Sequence, residues 1–367
     1  MKFSKDDTLL MKGFAIIFLC CYHCFSDYSR LSGVDVNFFP LSQKTGIYIS
    51  ESLNLCVGMF AFLSVYGMTL TLKGKKIDLA LSIKEKLQFV TGRYIGLIGG
   101  FLIPFFFCHI VSAILSYDPY GEGVVNHVCS FILDMLGVSK FFDTPLMTET
   151  WWYMSLAVLF IIVFPFVIDI YRKYSVLIIP LVAAFLLLAV DHIENMNRWL
   201  FIIPLGVCFA DLDWFQKLYQ WIRKNSKTSW IKRIVIYFLF LVVVYLRPHP
   251  WGLAHIPLIV NSVTSIFMIF ILYDIFYTPS KLKRAFMFLG RHSANIFYIH
   301  TFIRDIWFNK LTYSFQYAAL ILLFVLITTL LISVILERFK YIIKWNEKIR
   351  SVKQLCCQKI EKCKIRG

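Results

Sequence analysis

The chain has 367 residues, 59% of them apolar and only 16% charged, with a mean hydropathy of +0.68. A soluble domain carries roughly 25% charged and 45–50% apolar residues, and the excess here lies in uncharged runs such as Tyr317 to Leu336 and Ile234 to Leu246. That excludes a soluble enzyme, a disordered chain and a secreted disulfide scaffold. A net charge of +16 would suggest nucleic acid in a soluble protein, but in a membrane chain it is first read as orientation charge.

A hydrocarbon core about 30 Å thick needs about 20 residues per helix. On that scale the pattern predicts an all-α, polytopic bundle of about ten transmembrane helices, near residues 9–25, 49–71, 93–117, 149–171, 175–190, 197–210, 231–246, 256–277, 292–308 and 314–337. The first span is followed by Cys20-Cys21-Tyr22-His23-Cys24 where a signal peptide would carry small residues, so it is expected to be retained. With the amino end inside, the cytoplasmic segments hold 31 of the 38 Lys and Arg, and the outer segments hold Arg30, Lys44, Lys140, Arg198, Arg247, Arg304 and Lys310. Both termini are therefore expected in the cytoplasm, in a multi-pass protein of the cell membrane, and no nucleic acid is needed.

In chain order, the first span holds the sharpest set of polar residues. Lys12 and His23 are eleven residues apart, so 100° per residue brings them back to within about 20°, on one helix face, with a rise of about 16 Å. Asp27 follows four residues later, in expected reach of the imidazole. A histidine beside a carboxylate is the arrangement of a general base. A polar helix–helix contact is the alternative reading. Span two ends in Phe60-Ala61-Phe62-Leu63-Ser64-Val65-Tyr66-Gly67, whose small residues permit close packing.

Arg93 opens span three after Lys84 and Lys86; an arginine there serves either as an orientation charge or as a phosphate clamp. The longest outer segment, 118–148, is too long for a bare connector, and Val128 to Val138 is read as an interfacial or re-entrant helix. Span four opens with Glu149-Thr150-Trp151-Trp152, whose tryptophans are expected as belt anchors. Span nine runs from Gly290-Arg291-His292-Ser293 to Tyr298-Ile299-His300, with His300 either a helix contact or a site residue. Residues 1–337 form the transmembrane domain. Residues 338–367 form a basic amphipathic tail expected on the inner leaflet.

Cys20, Cys21, Cys24, Cys56, Cys108 and Cys208 lie in apolar runs and read as small hydrophobes. Cys356, Cys357 and Cys363 lack a neighbouring histidine, so no metal is expected. No nucleotide-binding loop, zinc-protease motif or nucleophile elbow is present.

These residues resemble the membrane acyltransferase family three, integral-membrane O-acyltransferases of surface polysaccharides and related acceptors. Asp7, Lys12-Gly13-Phe14-Ala15-Ile16-Ile17 and Tyr22-His23 match its opening, with lysine for the usual arginine. Phe60 to Gly67 matches its Phe-rich run, with Val65 in a glycine's place. Lys86 and Arg93 match its basic cluster, and Trp152, Ser155, Phe160 and Pro165 its tryptophan segment, with Ala157 where many members have glutamate. Leu289-Gly290, Ser293, Tyr298 and His300 match its last landmark, with one residue between Tyr298 and His300 instead of two.

The resemblance implies ten spans and an O-acetyltransferase that takes acetyl from cytosolic acetyl-CoA to a hydroxyl of a surface or capsular polysaccharide or its lipid-linked precursor. It implies Lys12 and Arg93 as contacts for the donor phosphates and His23 as the base. Ser64, Trp152, Tyr298 and His300 become candidate substrate contacts, while Asp27 as orienting acid rests on helix spacing alone. The rival readings are a secondary transporter or flippase for lipid-linked sugars and a polysaccharide polymerase. The first expects paired broken helices in repeated halves, which are not found; the second expects an arginine-rich outer face, whereas this one holds only seven Lys and Arg.

Overall fold

The computed structural model describes residues 3–31, 33–73, 81–120, 123–145, 151–189, 196–247 and 256–363. Glu149 and Thr150, part of the expected opening of span four, lie outside them. In chain order, α1 (Lys5–Phe25) is followed by α2 (Gln43–Ser52), α3 (Leu55–Lys73), α4 (Ile83–Ile114), α5 (Val124–Met135), the single turn α6 (Ser139–Phe142), α7 (Trp152–Tyr174) and α8 (Ile178–Ala189). Then come α9 (Ile202–Asp211), α10 (Trp214–Arg223), α11 (Ser226–Leu246), α12 (Pro257–Ile275) and α13 (Lys281–Thr301). A π-helical segment (Phe302–Trp307), α14 (Asn309–Ser314), α15 (Ala318–Ile342) and α16 (Trp345–Lys362) complete the chain. Extended backbone pairs in an isolated bridge between Asn37 and Tyr317.

Seven stretches among the described residues are long and apolar enough to cross a bilayer: α1, α2 with α3, α4, α7 with α8, α11, α12 and α15. The expected spans five, six and nine account for the difference from ten. Span five runs on from span four through a turn at Ser175–Leu177, making one stretch of 35 residues. Span six is the ten-residue α9, about 15 Å at 1.5 Å per residue, half the hydrocarbon thickness. Span nine lies in α13 and the π segment, and α13 carries Lys281, Lys283, Arg284 and Arg291.

The chain forms two compact units. Unit 1 comprises residues 1–19, 52–80 and 166–291. Ser4 begins α1: its Oγ accepts from the Asp7 amide at 3.2 Å, while the Asp7 carboxylate accepts from the Ser4 amide at 3.0 Å, which satisfies two helix-end groups reciprocally. Asp7 also accepts from Lys283 Nζ of α13 at 3.0 Å. Beyond that ion pair, α1 and α13 touch backbone to backbone. A Cβ on Gly13 would sit 2.1 Å from Phe286 O, and one on Gly290 would sit 1.9 Å from Leu9 O. Gly206 of α9 plays the same part against α3, where a Cβ would lie 2.8 Å from Val65 Cγ1. Arg233 of α11 clamps the buried Asp274 of α12 through two bonds of 2.6 and 3.1 Å, and Tyr237 adds a third at 2.9 Å.

Unit 2 comprises residues 20–51, 81–165 and 292–367. A capping box of Ser82 and Glu85 starts α4. Its core gathers Phe101, Phe105 and Cys108 of α4 with Trp151, Met154, Tyr298, Ile299 and Phe302. A polar knot joins α13 to α15. Asn295 Nδ2 donates to Ser333 at 3.0 Å and to Glu337 at 2.8 Å, while the buried Lys340 donates to Asn295 Oδ1 at 3.1 Å and to Glu337 at 2.8 Å. The basic tail forms α16, which packs along α4. Trp345 Nε1 donates to Gly99 O at 2.7 Å, and Gln88 donates to Cys357 O and to the Glu361 carboxylate. Within residues 118–148 the helix expected over Val128 to Val138 is α5, which begins four residues earlier and is amphipathic and twelve residues long.

Candidate active site

The end of α1 and the end of α13 bring two histidines together in unit 2. The rings of His23 and His300 lie 4.8 Å apart, edge to face at 63°. His300 is buried, and its Nδ1 is 2.7 Å from Phe297 O. A carbonyl only accepts, so Nδ1 carries the ring proton and Nε2 keeps a lone pair. The Thr301 hydroxyl approaches that lone pair at 3.3 Å.

His23 is poised oppositely. Arg30, from the short 3₁₀ turn Tyr28–Leu31, places Nη1 3.3 Å from His23 Nδ1 and 3.5 Å from His23 O. A guanidinium only donates, so the lone pair of His23 is at Nδ1 and its neutral ring carries the proton on Nε2. The two rings thus offer one donor and one acceptor, the complementary halves of a proton-transfer pair.

A second arginine lies under this pair. Arg304 is on the π segment that follows α13, 5% exposed, and its Nη2 pairs with Asp305 at 2.9 Å. π-helical turns occur frequently at functional sites. Arg304 also donates to the Tyr313 phenol, whose own proton goes to Cys24 O at 3.0 Å, one residue from His23. Arg304 Nε is buried without a partner among the described residues.

The remaining expected site residues are scattered. Asp27 is not the partner of His23, because α1 ends at Phe25 and the four-residue spacing no longer applies. Asp27 is exposed and accepts from the Ser29 amide at 2.7 Å. The backbone and hydroxyl of Ser29 hold its carboxyl below the usual range. Tyr298 and His300 are two residues apart, about 200° around a helix. Tyr298 accordingly faces the core, where its ring packs 4.9 Å from Phe101 and its carbonyl accepts from Trp151 Nε1 at 2.9 Å. Trp151 is buried there and is no belt anchor, whereas Trp152 is half-buried beside Tyr153.

Ser64 is on an exposed face of α3 and bonds back to Phe60 O at 2.8 Å. Lys12 is half-buried on α1 of unit 1 and makes no ion pair among the described residues. Arg93 is half-buried on α4 of unit 2, its guanidinium 5.5 Å from the Phe89 ring. No group of three His, Cys, Asp or Glu able to hold a metal ion occurs among the described residues.

A family model described as an acyltransferase domain matches residues 9–338, nearly the whole chain. The chain belongs to acyltransferase family 3. No curated protein and no solved structure matches it. The family makes this all-helical, multi-pass chain a membrane acyltransferase. Sequence reasoning reached His23 and His300 of this acyltransferase but passed over Arg30, Arg304 and Tyr313. Both arginines had been counted only as outer charges. The signal was there in the spacing: Arg304 follows His300 by four residues, one helical turn on.

Proposed function

We propose that the chain is an O-acetyltransferase of the cell membrane, moving acetyl from cytosolic acetyl-CoA to a hydroxyl of a cell-surface or capsular polysaccharide or its lipid-linked precursor. The observation that carries the reading is the His23–His300 pair with Arg30 and Arg304 around it, in a chain of this family. A sugar hydroxyl is a weak nucleophile at neutral pH, and a positioned base contributes about 10²–10⁴-fold. In this mechanism the histidine pair takes the hydroxyl proton, on the lone pair of His300 Nε2, where the acceptor hydroxyl replaces the 3.3 Å contact of the Thr301 hydroxyl. The hydroxyl oxygen bonds to the thioester carbon, and the carbonyl oxygen becomes an oxyanion.

The Nε2 proton of His23 and the guanidinium of Arg30 are donors of the kind that stabilise such an oxyanion. When the carbon–sulfur bond breaks, the histidine pair returns the proton to the leaving thiolate, so the enzyme ends unchanged. Lys12 and Arg93 hold the donor phosphates in this reading, with both termini in the cytoplasm and ten crossings in all. Mass spectrometry of surface glycans from cells with and without the gene tests it. Loss of acetyl esters in the deletion, restored by the native chain and not by His23→Ala, is the expected result. Unchanged acetylation in the deletion overturns it.

A further inference from the structure

Beside the histidine pair, unit 2 holds a pocket of about 230 Å³ lined by Val34, Asn309, Lys310, Tyr313, Ser314 and Gln316. Its two walls are tied together by backbone bonds: Asn37 N donates to Gln316 O at 2.8 Å, and Ala318 N donates to Asn37 O at 2.9 Å. A water occupies about 30 Å³ of liquid, so the space, which opens to solvent, is large enough to seat one sugar ring. Two carboxamides, two hydroxyls and an ammonium line it, against one aliphatic side chain. That is a surface for hydroxyl groups, with a charge of one sign.

The sign is the informative part. Lys310 is exposed at the pocket and makes no ion pair among the described residues. No acid lines the pocket. Tyr313, one of its walls, is the residue that accepts from Arg304, whose buried Nε has no partner among the described residues. The phenol is also bonded to Cys24 O, next to His23. Tyr313 thus links the pocket wall to Arg304 and, through Cys24 O, to the end of α1 that carries His23. Arg304 already has Asp305 as its counter-ion at 2.9 Å, so Lys310 is the cation that a neutral sugar leaves without a partner and an acidic one meets.

We infer that this pocket is the acceptor site and that it takes a sugar residue bearing an acid group, carboxylate or phosphate, with Lys310 reading the acid. The inference deepens the proposed acyl transfer to glycans and names the substrate class for that site. Arg304 acts as a positioning residue through Tyr313.

The test is ligand-observed NMR on the full-length chain in detergent, with methyl glucuronide, glucose 6-phosphate and methyl glucoside as probes. A charge contact at an exposed lysine predicts that at least one acidic sugar binds about two- to five-fold more tightly than the glucoside. Lys310→Ala removes that preference, Lys310→Glu reverses it and Lys310→Arg keeps it. Preference for the glucuronide alone identifies the acid as a carboxylate, and for the phosphate alone as a phosphate ester. Equal binding of all three, or a preference that survives Lys310→Ala and Lys310→Glu, overturns the inference. If the Lys310-dependent preference is present while surface glycans carry no acyl group from this enzyme, the site stands and the acyl-transfer reading falls.

Discussion

A histidine can sit in a membrane helix for packing or for proton transfer, and its hydrogen bonds decide which chemistry is open to it. His300 has its Nδ1 proton held by Phe297 O, and His23 has its Nδ1 lone pair held by Arg30. Arg30 gives His23 both its tautomer and a charged partner, while Phe297 O gives His300 its tautomer alone; together the rings supply one donor and one acceptor. His300→Ala and His23→Ala should each lower acetyl transfer by about 10²-fold or more at normal levels of inserted protein, measured as acetylation per unit of enzyme. Asp27→Asn should leave activity within about two-fold of normal, since the carboxylate caps the Ser29 turn at the surface and surface changes are usually small. An Asp27→Asn loss comparable to that of His300→Ala would restore the aspartate to the mechanism. If Lys12 and Arg93 contact the donor phosphates as proposed, a contact worth about 1.5–3 kcal/mol predicts that Lys12→Ala and Arg93→Ala each raise the apparent KM for acetyl-CoA about ten-fold or more. An unchanged donor dependence in both variants would contradict that role.

Between elements, the family landmarks turn out to be packing as often as chemistry. Gly13, next to Lys12, is required because α13 passes with Phe286 O where a side chain would begin, and Gly290 is its counterpart against Leu9 O. Gly13→Val should therefore lower the melting temperature and the yield of inserted protein, as overpacking costs typically about 1–3 kcal/mol or more where backbone must move; equal yields by fluorescence size-exclusion would disprove the close approach. Val65, standing where the family has glycine, is accommodated because Gly206 supplies the missing space from the facing helix. That exchange was invisible in a linear reading, as were the tertiary partners of Trp151 and Arg304. The amphipathic helix α5 offers a pH test. Asp134 accepts from Tyr120 OH at 2.8 Å and from Thr144, and Tyr120 OH lies 3.0 Å from Nε2 of His109, near the His127–Asp118 pair. Burial pushes the Asp134 carboxyl up to about 6, although its two hydrogen bonds act in the opposite direction. A carboxyl raised in the folded state contributes stability that is present below its unfolded value, about 3.9, and is lost as pH rises through about 6. The melting temperature should fall between pH 5 and 7, and Asp134→Asn should flatten that fall; an identical slope in the variant would exclude Asp134 as its cause.

For the molecule as a whole, hydropathy was enough to find the long helices but not the short ones that shape the site. The expected first, second, third, fourth, seventh, eighth and tenth spans correspond to helices long enough to cross, because about 20 apolar residues in a row leave few alternatives in lipid. Span nine was harder, since the π segment that carries Arg304 has no signature in composition, and the partner of Arg304 is Tyr313 of α14, itself bonded to Cys24 O near the end of α1. The tail shows the same limit. Its basic amphipathic pattern predicts a membrane surface but not its tertiary contacts, in which Gly92 and Gly99 of α4 provide a seat for Lys353 and Ile349 of α16. Orientation is the property that charge alone carries, through the 31 of 38 Lys and Arg gathered on one set of segments. Cysteines introduced one at a time into a cysteine-free version should react with an impermeant maleimide in intact cells at positions in 118–148. Those in 73–92 and after Arg338 should react only once the membrane is opened. Acyl-CoA is cytosolic in the proposed reaction, so Lys12 and Arg93 must fall on the protected side. Labelling of 73–92 in intact cells would invert the topology and remove both cations from the donor, while leaving the histidine pair and its arginines in place.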